Sequence, residues 1–431
     1  MKISGFIKSK ARKMYDTGAL HITLGTFLTK FVAFFGSIVV VRILSKFDYG
    51  ILGYVENIYS YAFILAGMGL SNGVLRYLVK AEDQKEKRKY YNYIIKNSIY
   101  IDLGIALLLC IIAMVVPFPD NYSDSKHLLP ILALLLPFQD LLNEELYTIR
   151  SFFKNKLYAY MAFCSSALLI GGRVIGARCG GVNGVLWSRT LINATFAIIL
   201  FVIVSRLFTD NNRDCINKDE KKEVNTYSFQ YMITNGFWAI FMLNDTFLLG
   251  MLLNDPSALA DYKVAYVLPG NLSIFATAIG VYVAPYFIKN EKNLEWIRLK
   301  FKNVLILSCL LVGAAASIIA VFANPIITTI YGVQYTNTIA LMRVLLLAAF
   351  LNSGIRYTIA NILAAMGEIK YNMIISGIGI GLQIILDIIL IPKIGVMAVA
   401  ISNCGVYLLM SLALFVVFYI KYYTTTKSSM I

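Results

Sequence analysis

Apolar segments about as long as a bilayer is thick follow one another along this whole chain. A helix rises 1.5 Å per residue, so about 20 residues cross a hydrocarbon core of roughly 30 Å. The segments lack the alternation of barrel strands, and a backbone in lipid must satisfy its own polar groups, so we predict helices. Hydrophobic residues make up 58% of the chain and charged residues 15%, against about 45–50% and 25% in soluble domains. The predicted fold class is an all-α polytopic membrane protein.

Clusters of charged residues, together with Gly and Pro, mark the ends of about twelve predicted spans. They are residues 18–42, 48–78, 93–116, 127–149, 158–178, 182–206, 228–253, 258–287, 302–324, 336–363, 371–391 and 395–420. The second and the eighth are long enough to imply tilt or a broken end. The polar links are short, as in PFPDNYSDSK at 117–126, and leave no room for a soluble domain.

Lysine and arginine are distributed unevenly between alternate links. They concentrate in the links that lie on the same side as the N-terminus, at residues 2–13, 80–96, 150–156, 206–222 and 289–302. Cytoplasmic loops carry such an excess, so we predict that both termini lie in the cytoplasm. The formal net charge of +15 is largely explained in this way, and no nucleic-acid partner is expected.

The second half of the chain repeats features of the first half at a constant spacing. Asp48-Tyr49 returns as Asp261-Tyr262 and the link ending at Tyr158 returns at Tyr371, both at an offset of 213. GVNGVLWS (181–188) returns as GVMAVAIS (395–402) at an offset of 214. An even number of spans per half means that both halves enter from the same side. We therefore predict two six-helix lobes, 1–218 and 219–431, related by a pseudo-twofold axis along the membrane normal.

Nothing in the sequence indicates an enzyme or a metal site. The six cysteines have no CxxC or paired spacing, and a thiol within an apolar helix behaves as a small hydrophobe. The two histidines have no partner motif, and no GxxxxGK[ST] sequence is present that would bind ATP. We expect no catalytic residues, no metal and no cofactor.

Several segments carry a family resemblance. They are RILSKFDYG (42–50), GMGLSNGVLRYLV (67–79), NDTFLLG (244–250), LAAMGEIKYN (363–372) and IPKIGVMAVAIS (391–402). Together they resemble Wzx-type polysaccharide flippases of the multidrug/oligosaccharidyl-lipid/polysaccharide exporter superfamily. One departure is the basic Ser45-Lys46-Phe47, where the family usually has a small or polar stretch. The resemblance spans nearly the whole chain and does not identify the glycan.

The resemblance implies an alternating-access transporter in the bacterial cytoplasmic membrane. Its substrate would be a polyprenyl-diphosphate-linked oligosaccharide, moved from the inner to the outer leaflet. Membrane lipids, a glycan polymerase and a chain-length regulator are the implied partners. The diphosphate and the glycan cannot cross hydrocarbon unaided, whereas the lipid tail can stay in the bilayer. Intramembrane cations should therefore face a wet cleft that takes the headgroup.

Depth in the predicted spans selects the candidate cations. Lys30 lies at the middle of the first span, where it either lines the cleft or pairs with Asp102 or Asp140. Arg189 and Arg343 each lie about seven residues, or roughly 10 Å, inside a helix end. Three further candidates lie nearer helix ends, where a long side chain also reaches the headgroup layer. These are Arg42, Arg76 and Arg356. Arg343 and Arg356 do not share a helix face, so one of them is expected to be structural.

Acidic residues in the spans raise the question of energy coupling. Asp245 and Asp387 are candidates to carry H⁺ or Na⁺, because a carboxylate that loses its charge can bias two conformations. Asp102 and Asp140 are weaker candidates, and simple ion pairing is the alternative for all four. Two other functions stay open: a cation-coupled multidrug exporter of the same fold, and a membrane glycan polymerase or ligase.

Overall fold

Helices and turns form the entire described part of this computed structural model. The structure describes residues 19–208 and 216–424, without the side chains of residues 19–27, 30, 238 and 281, and it has no strand in these ranges. The helices of nine or more residues are α1 Ala19–Ile43, α2 Lys46–Ile64, α3 Leu70–Lys80, α4 Gln84–Val115, α5 Ser125–Ser151, α6 Asn155–Ser205, α7 Lys218–Leu253, α8 Pro256–Asn271, α9 Ser273–Lys289, α10 Leu294–Val321, α11 Thr338–Ala349, α12 Tyr357–Ala365, α13 Ile369–Ile394 and α14 Met397–Tyr419. The all-α membrane fold class is confirmed.

Within the described residues, every predicted span coincides with one or two helices. The second and eighth spans, which are the longest, are interrupted. The second span is α2 and α3, which meet at a bend of 43°. The eighth is α8 and α9, which are separated at Leu272, three residues after Pro269. The seventh, α7, is also bent, by 45° between Phe237 and Ala239.

Length and composition alone give fewer spans than the twelve predicted. Within the described residues, seven helices are long and apolar enough to cross a membrane, or up to nine if each bent pair is one span. The difference has physical reasons. The long helix α6 covers two predicted spans, α1 contributes only its described apolar part Phe31–Ile43, and α5 carries the acidic residues Asp140, Glu144 and Glu145.

The long helix α6 is a hairpin of two helices. Gly180 (φ −146°) and Gly181 (φ +56°) are non-helical, and the chain reverses there. A Cβ built on Gly176 would lie 2.2 Å from the carbonyl oxygen of Gly184, so the two backbones are in direct contact. Small residues permit such close approach of helices in membranes.

Two backbone turns recur in the two halves of the chain. Gly181 and Gly395 both have a positive φ, +56° and +63°, with ψ of −136° and −145°. Phe153 and Gly367 are both left-handed, with φ of +55° and +82°, just after a helix end. The same pair of hydrogen bonds closes both of these ends: Phe153 N to Arg150 O, Lys154 N to Ile149 O, Gly367 N to Ala364 O and Glu368 N to Leu363 O. This is the Schellman pattern. The two halves of the chain thus share these two turn conformations.

The chain divides into two compact units, Met1–Leu243 and Asn244–Ile431. We predicted the division at 218/219, whereas the structure places it inside α7. The first part of α7 packs on the first unit because polar and aromatic side chains hold it there. Lys89 Nζ lies 2.7 Å from Glu220 Oε2, and the Arg76 guanidinium lies 4.3 Å from the ring centroid of Tyr227.

Each unit has its own apolar interior and a wide apolar exterior. Fully buried side chains of the first unit include Leu78, Ile94 and Leu200, and those of the second include Phe287 and Leu363. Apolar side chains are also exposed along the spans. Since lipid is as apolar as these side chains, the spans associate through close packing and hydrogen bonds rather than through exclusion of water.

Candidate functional site

Arg189 anchors a polar cluster inside the first unit. It projects from the second half of α6, and its Nη1 lies 3.1 Å from Glu56 Oε1 of α2. Its Nη2 donates to Gln139 Oε1 of α5 at 2.9 Å. The Tyr59 hydroxyl donates to the same Gln139 oxygen at 3.1 Å, and the guanidinium lies 5.2 Å from the Tyr59 ring centroid. Three helices therefore position one guanidinium.

A second arginine, Arg173, shares the carboxylate of this cluster. Its Nη2 lies 3.0 Å from Glu56 Oε1, the oxygen that also binds Arg189. Two guanidinium groups and one carboxylate leave one net positive charge. Our sequence reasoning selected Arg189 but missed Arg173 and Glu56, and the available signal was an acidic residue inside the predicted span 48–78.

A cavity of about 240 Å³ lies beside Arg189. Its polar lining consists of Arg189 with neutral amides and hydroxyls, namely Gln139, Asn143, Asn193, Ser165 and Ser166. Amides and hydroxyls both donate and accept hydrogen bonds, and a guanidinium fork suits paired oxyanions. The cavity has the chemistry to hold hydroxyl-rich and anionic groups.

Arg356 is a buried cation of the second unit. It ends the π-helical segment Phe350–Arg356 and is 3% exposed. Its Nε donates to Asn352 Oδ1 at 2.7 Å, and its guanidinium lies 5.9 Å from the Tyr407 ring centroid. Among the described side chains it makes no ion pair. A buried guanidinium held only by a neutral amide can accept an anion.

The other predicted cations are not brought to these clusters. Arg42, Arg76 and Arg343 are exposed. Arg343 Nε donates to the carbonyl oxygen of Ala320 at 3.2 Å. Lys30 lies on α1, but its side chain lies outside the described residues.

Asp245 is the centre of a buried polar network in the second unit. The Tyr262 hydroxyl and Asn403 Nδ2 donate to its Oδ2 at 2.7 and 2.9 Å, and Gln383 Nε2 donates to its Oδ1 at 2.6 Å. The carboxylate is 6% exposed and has three neutral donors. Tyr262 belongs to the repeated Asp-Tyr pair, so the repeat contributes directly to this network.

Asp387 lies next to the Asp245 network, one turn of α13 from Gln383. Its Oδ1 accepts a short hydrogen bond from the Ser402 hydroxyl. Its Oδ2 and the Gln383 Oε1 are buried and have no hydrogen-bond partner among the described residues. Two predicted coupling residues are thus found in one oxygen-rich cluster with unused lone pairs.

Comparisons with known proteins give the family and the fold of this chain. The sequence profile of the polysaccharide biosynthesis protein family matches residues 17–291. An uncharacterised membrane protein of Methanocaldococcus jannaschii is 23% identical over 90% of this chain and 80% of its own length. Among solved structures, the lipid II flippase MurJ in an inward closed conformation gives a TM-score of 0.69 at 17% identity, over 92% of this chain and 87% of MurJ.

A second solved neighbour is a transporter of a different substrate class. An inward-facing multidrug resistance MATE family transporter of the MOP superfamily gives a TM-score of 0.67 at 13% identity, over 96% of this chain and 99% of that one. At these identities the likeness shows the fold and not the substrate. The family profile covers more than half of the chain, and it confirms the resemblance drawn from the sequence segments. The chain shares its fold with these two transporters, and it belongs to the polysaccharide biosynthesis protein family.

Proposed function

We propose that this protein is a flippase that moves a polyprenyl-diphosphate-linked oligosaccharide from the inner to the outer leaflet of the cytoplasmic membrane. The observation that carries the proposal is the cavity beside Arg189, where one cation stands among neutral amides and hydroxyls. A sugar needs many neutral hydrogen-bonding partners and a diphosphate needs a cation. No bond of the substrate is made or broken.

The charge balance of the Arg189 cluster supports an anionic substrate. Glu56 neutralises only one of the two arginines that contact it. The cluster therefore keeps one positive charge without leaving two guanidinium groups unpaired, which would be costly within a membrane. A diphosphate entering the cavity can accept hydrogen bonds from Arg189 in the bidentate manner that guanidinium favours.

Arg356 supplies a second cationic centre in its own unit. Among the described residues its hydrogen-bond partner is the Asn352 amide oxygen, and a neutral acceptor does not cancel its charge. A substrate phosphate there would gain a charge-assisted hydrogen bond. The π-helical turn that presents Arg356 is of a kind often found at functional sites.

We further propose that a monovalent cation, Na⁺ or H⁺, drives transport through Asp245 and Asp387. Gln383 Oε1 and Asp387 Oδ2 offer lone pairs that no described donor uses. Binding a cation there would offset the cost of burying two carboxylates without an ion pair. Transporters commonly place coupling ions at such polar sites within broken or buried helices.

A vesicle assay tests the transport proposal. The purified protein is reconstituted with a fluorescent short-chain polyprenyl-diphosphate-N-acetylglucosamine, and transfer between leaflets is followed by quenching with membrane-impermeant dithionite. We expect protein-dependent transfer, strongly reduced in Arg189→Ala and retained in Arg343→Ala, the matched change at an exposed arginine. Absence of transfer by the unmodified protein, together with accumulation of a cationic dye in the same vesicles, would favour the multidrug exporter and overturn the proposal.

A further inference from the structure

A break at membrane depth separates α2 from α3. The connecting turn Ala66–Gly69 contains three successive residues in the left-handed region, Gly67 (φ +53°), Met68 (φ +46°) and Gly69 (φ +78°). The two helices that it joins differ in direction by 43°. Broken helices expose backbone groups, and within a membrane those groups must be satisfied by protein or by a wet cavity.

Two buried carboxyl groups occupy this break. The backbone N–H of Gly67 donates to Asp102 Oδ1 at 2.8 Å. Asp140 Oδ1 accepts from the Ser71 hydroxyl at 2.7 Å, and its Oδ2 accepts from the Ser98 hydroxyl at 2.9 Å. Gly67 lies in the break and Ser71 lies in the first turn of α3, so the carboxyl groups tie the break and the start of α3 to α4 and α5.

Asp102 and Asp140 lie on the two sides of Gly67, whose N–H donates to Asp102 Oδ1 and on which a Cβ would lie 2.7 Å from Asp140 Oδ2. They are 1% and 3% exposed. The geometry is that of a carboxyl pair holding one proton, because two adjacent buried carboxylates resist ionising together.

A third acid, Glu144, lies one turn further along α5. It is 0% exposed, and neither of its carboxylate oxygens has a hydrogen-bond partner among the described residues. Burying a charged carboxylate without a partner is very unfavourable. The described side chains therefore do not balance the negative charges of three buried carboxylates. Bound protons would neutralise these charges most simply.

The described ionisable groups around the pair do not neutralise it. Arg189 is engaged by Glu56 at 3.1 Å, and Arg88 lies against the rings of Tyr91 and Phe208. The remaining groups around the pair are Tyr59 of α2, Glu145 and Tyr147 of α5, and Tyr231 of α7. None of the described cations forms an ion pair with Asp102 or Asp140.

A polar cavity gives the pair a route for protons. It has a volume of about 230 Å³, and Asp140 forms part of its wall. Other polar residues of the wall are Ser71, Asn72, Asn143, Tyr147 and Asn235. A cavity of this size with several polar groups can hold hydrogen-bonded water.

We propose that Asp102 and Asp140 form a proton-binding site that controls the break between α2 and α3. With one proton bound, the two carboxyl groups attract each other and hold Gly67 and Ser71 together. When that proton leaves to water in the cavity, two negative charges face each other, and separating them moves the two halves of the span apart. A proton fits better than a metal ion, because N–H and O–H donors already occupy three of the carboxyl oxygens.

The role of this site depends on the proposed transport function, but proton binding itself does not. Proton binding is therefore tested without substrate. The full-length protein in lipid nanodiscs is titrated with acid and base, and protonated carboxyl groups are followed by infrared difference spectroscopy in heavy water. We expect a carboxylic acid band that titrates reversibly, disappears in Asp140→Asn and persists in Asp120→Asn, the matched change at an exposed aspartate.

A second variant keeps the test decisive if Asp140→Asn does not fold. Ser71→Ala retains both carboxyl groups and removes one donor from Asp140, so it should keep the band and move the midpoint of its titration. A band that is unchanged in both variants, or one that responds to Na⁺ at constant pH, would overturn the proton site. Loss of lipid transfer with an intact titration would instead contradict the transport function and leave the proton site standing.

Discussion

The two units of this protein hold buried charge in opposite ways. In the first unit the cations Arg173 and Arg189 are paired with a carboxylate, whereas the buried acid Glu144 has no described partner. In the second unit the acid Asp245 is held by three neutral donors, and the buried cation Arg356 is held by an amide. The first unit thus pairs its arginines with a carboxylate, whereas the second unit holds Asp245 and Arg356 with separate neutral partners.

The two units differ in their buried side chains and not in the backbone conformation of these turns. Gly181 and Gly395 share their unusual dihedral angles, and the helix ends at Phe153 and Gly367 share their hydrogen bonds. The two halves therefore share these turns and differ in their buried polar groups.

The largest expected effect tests the paired cations of the first unit. Arg189→Ala removes a charge-assisted interaction that contributes about 2 kcal/mol, so lipid transfer should fall about 30-fold. Glu56→Gln makes the opposite change, because it frees positive charge, and it should lower the KM for the diphosphate lipid. Both are measured by dithionite quenching in vesicles. If Glu56→Gln and Arg189→Ala impair binding alike, Glu56 is itself a substrate ligand and the cluster is not a cation site.

The next effect concerns the acid of the second unit. Asp245→Asn removes the carboxylate and places an amide against the donors of Gln383 and Asn403, so stimulation of transfer by a Na⁺ or proton gradient should disappear. Tyr262→Phe removes one of three donors and should weaken that stimulation by up to about tenfold. Transfer rates with and without each gradient provide the measurement. Full stimulation in Asp245→Asn would exclude this site as the coupling site.

A smaller effect isolates the break in the first unit. A Cβ on Gly67 would lie 2.6 Å from the Ser98 hydroxyl and 2.7 Å from Asp140 Oδ2, and the left-handed φ of this residue disfavours alanine as well. Gly67→Ala should shift the infrared titration midpoint and slow transfer severalfold. Gly104→Ala of α4 is the control, because its Cβ would meet open space. If Gly67→Ala and Gly104→Ala had the same titration midpoint and the same transfer rate, the conformation of the break would not depend on the carboxyl pair.

The smallest effect compares the two equivalent turns. Phe153 is left-handed and 72% exposed, and Gly367 has the same role in the second unit. Phe153→Gly should stabilise the protein by about 0.5–1 kcal/mol, and Gly367→Ala should destabilise it by a similar amount. Thermal unfolding in detergent measures both. Opposite signs in the two units are the expected result, and the same sign would show that the turns are not energetically equivalent.

The fold follows from the sequence more readily than the sites do. Apolar length and charge clusters located each helix, and repeated residues located equivalent turns. The boundary that we predicted at 218/219 lies inside α7 in the structure, because Glu220 and Tyr227 pack on the first unit. No change in composition along the chain marks that packing.

The sites depend on contacts between residues that are far apart in the chain. Arg189 was selected by depth, but its partner Glu56 is 133 residues away. Glu144 and Glu145 stand inside a predicted span, and this was the available signal for the carboxyl cluster that our reasoning left unused. Depth in a span predicts which charges are costly. It does not predict which neighbour compensates them.

The hairpin in α6 has a consequence for how the protein is made. Its two helices are joined through Gly180 and Gly181, with no loop between them, and their backbones touch at Gly176 and Gly184. We expect the two helices to insert into the membrane together during synthesis, because each helix packs against the other. A glycosylation acceptor built into this turn should stay unmodified in microsomes, because so short a turn cannot reach the modifying enzyme.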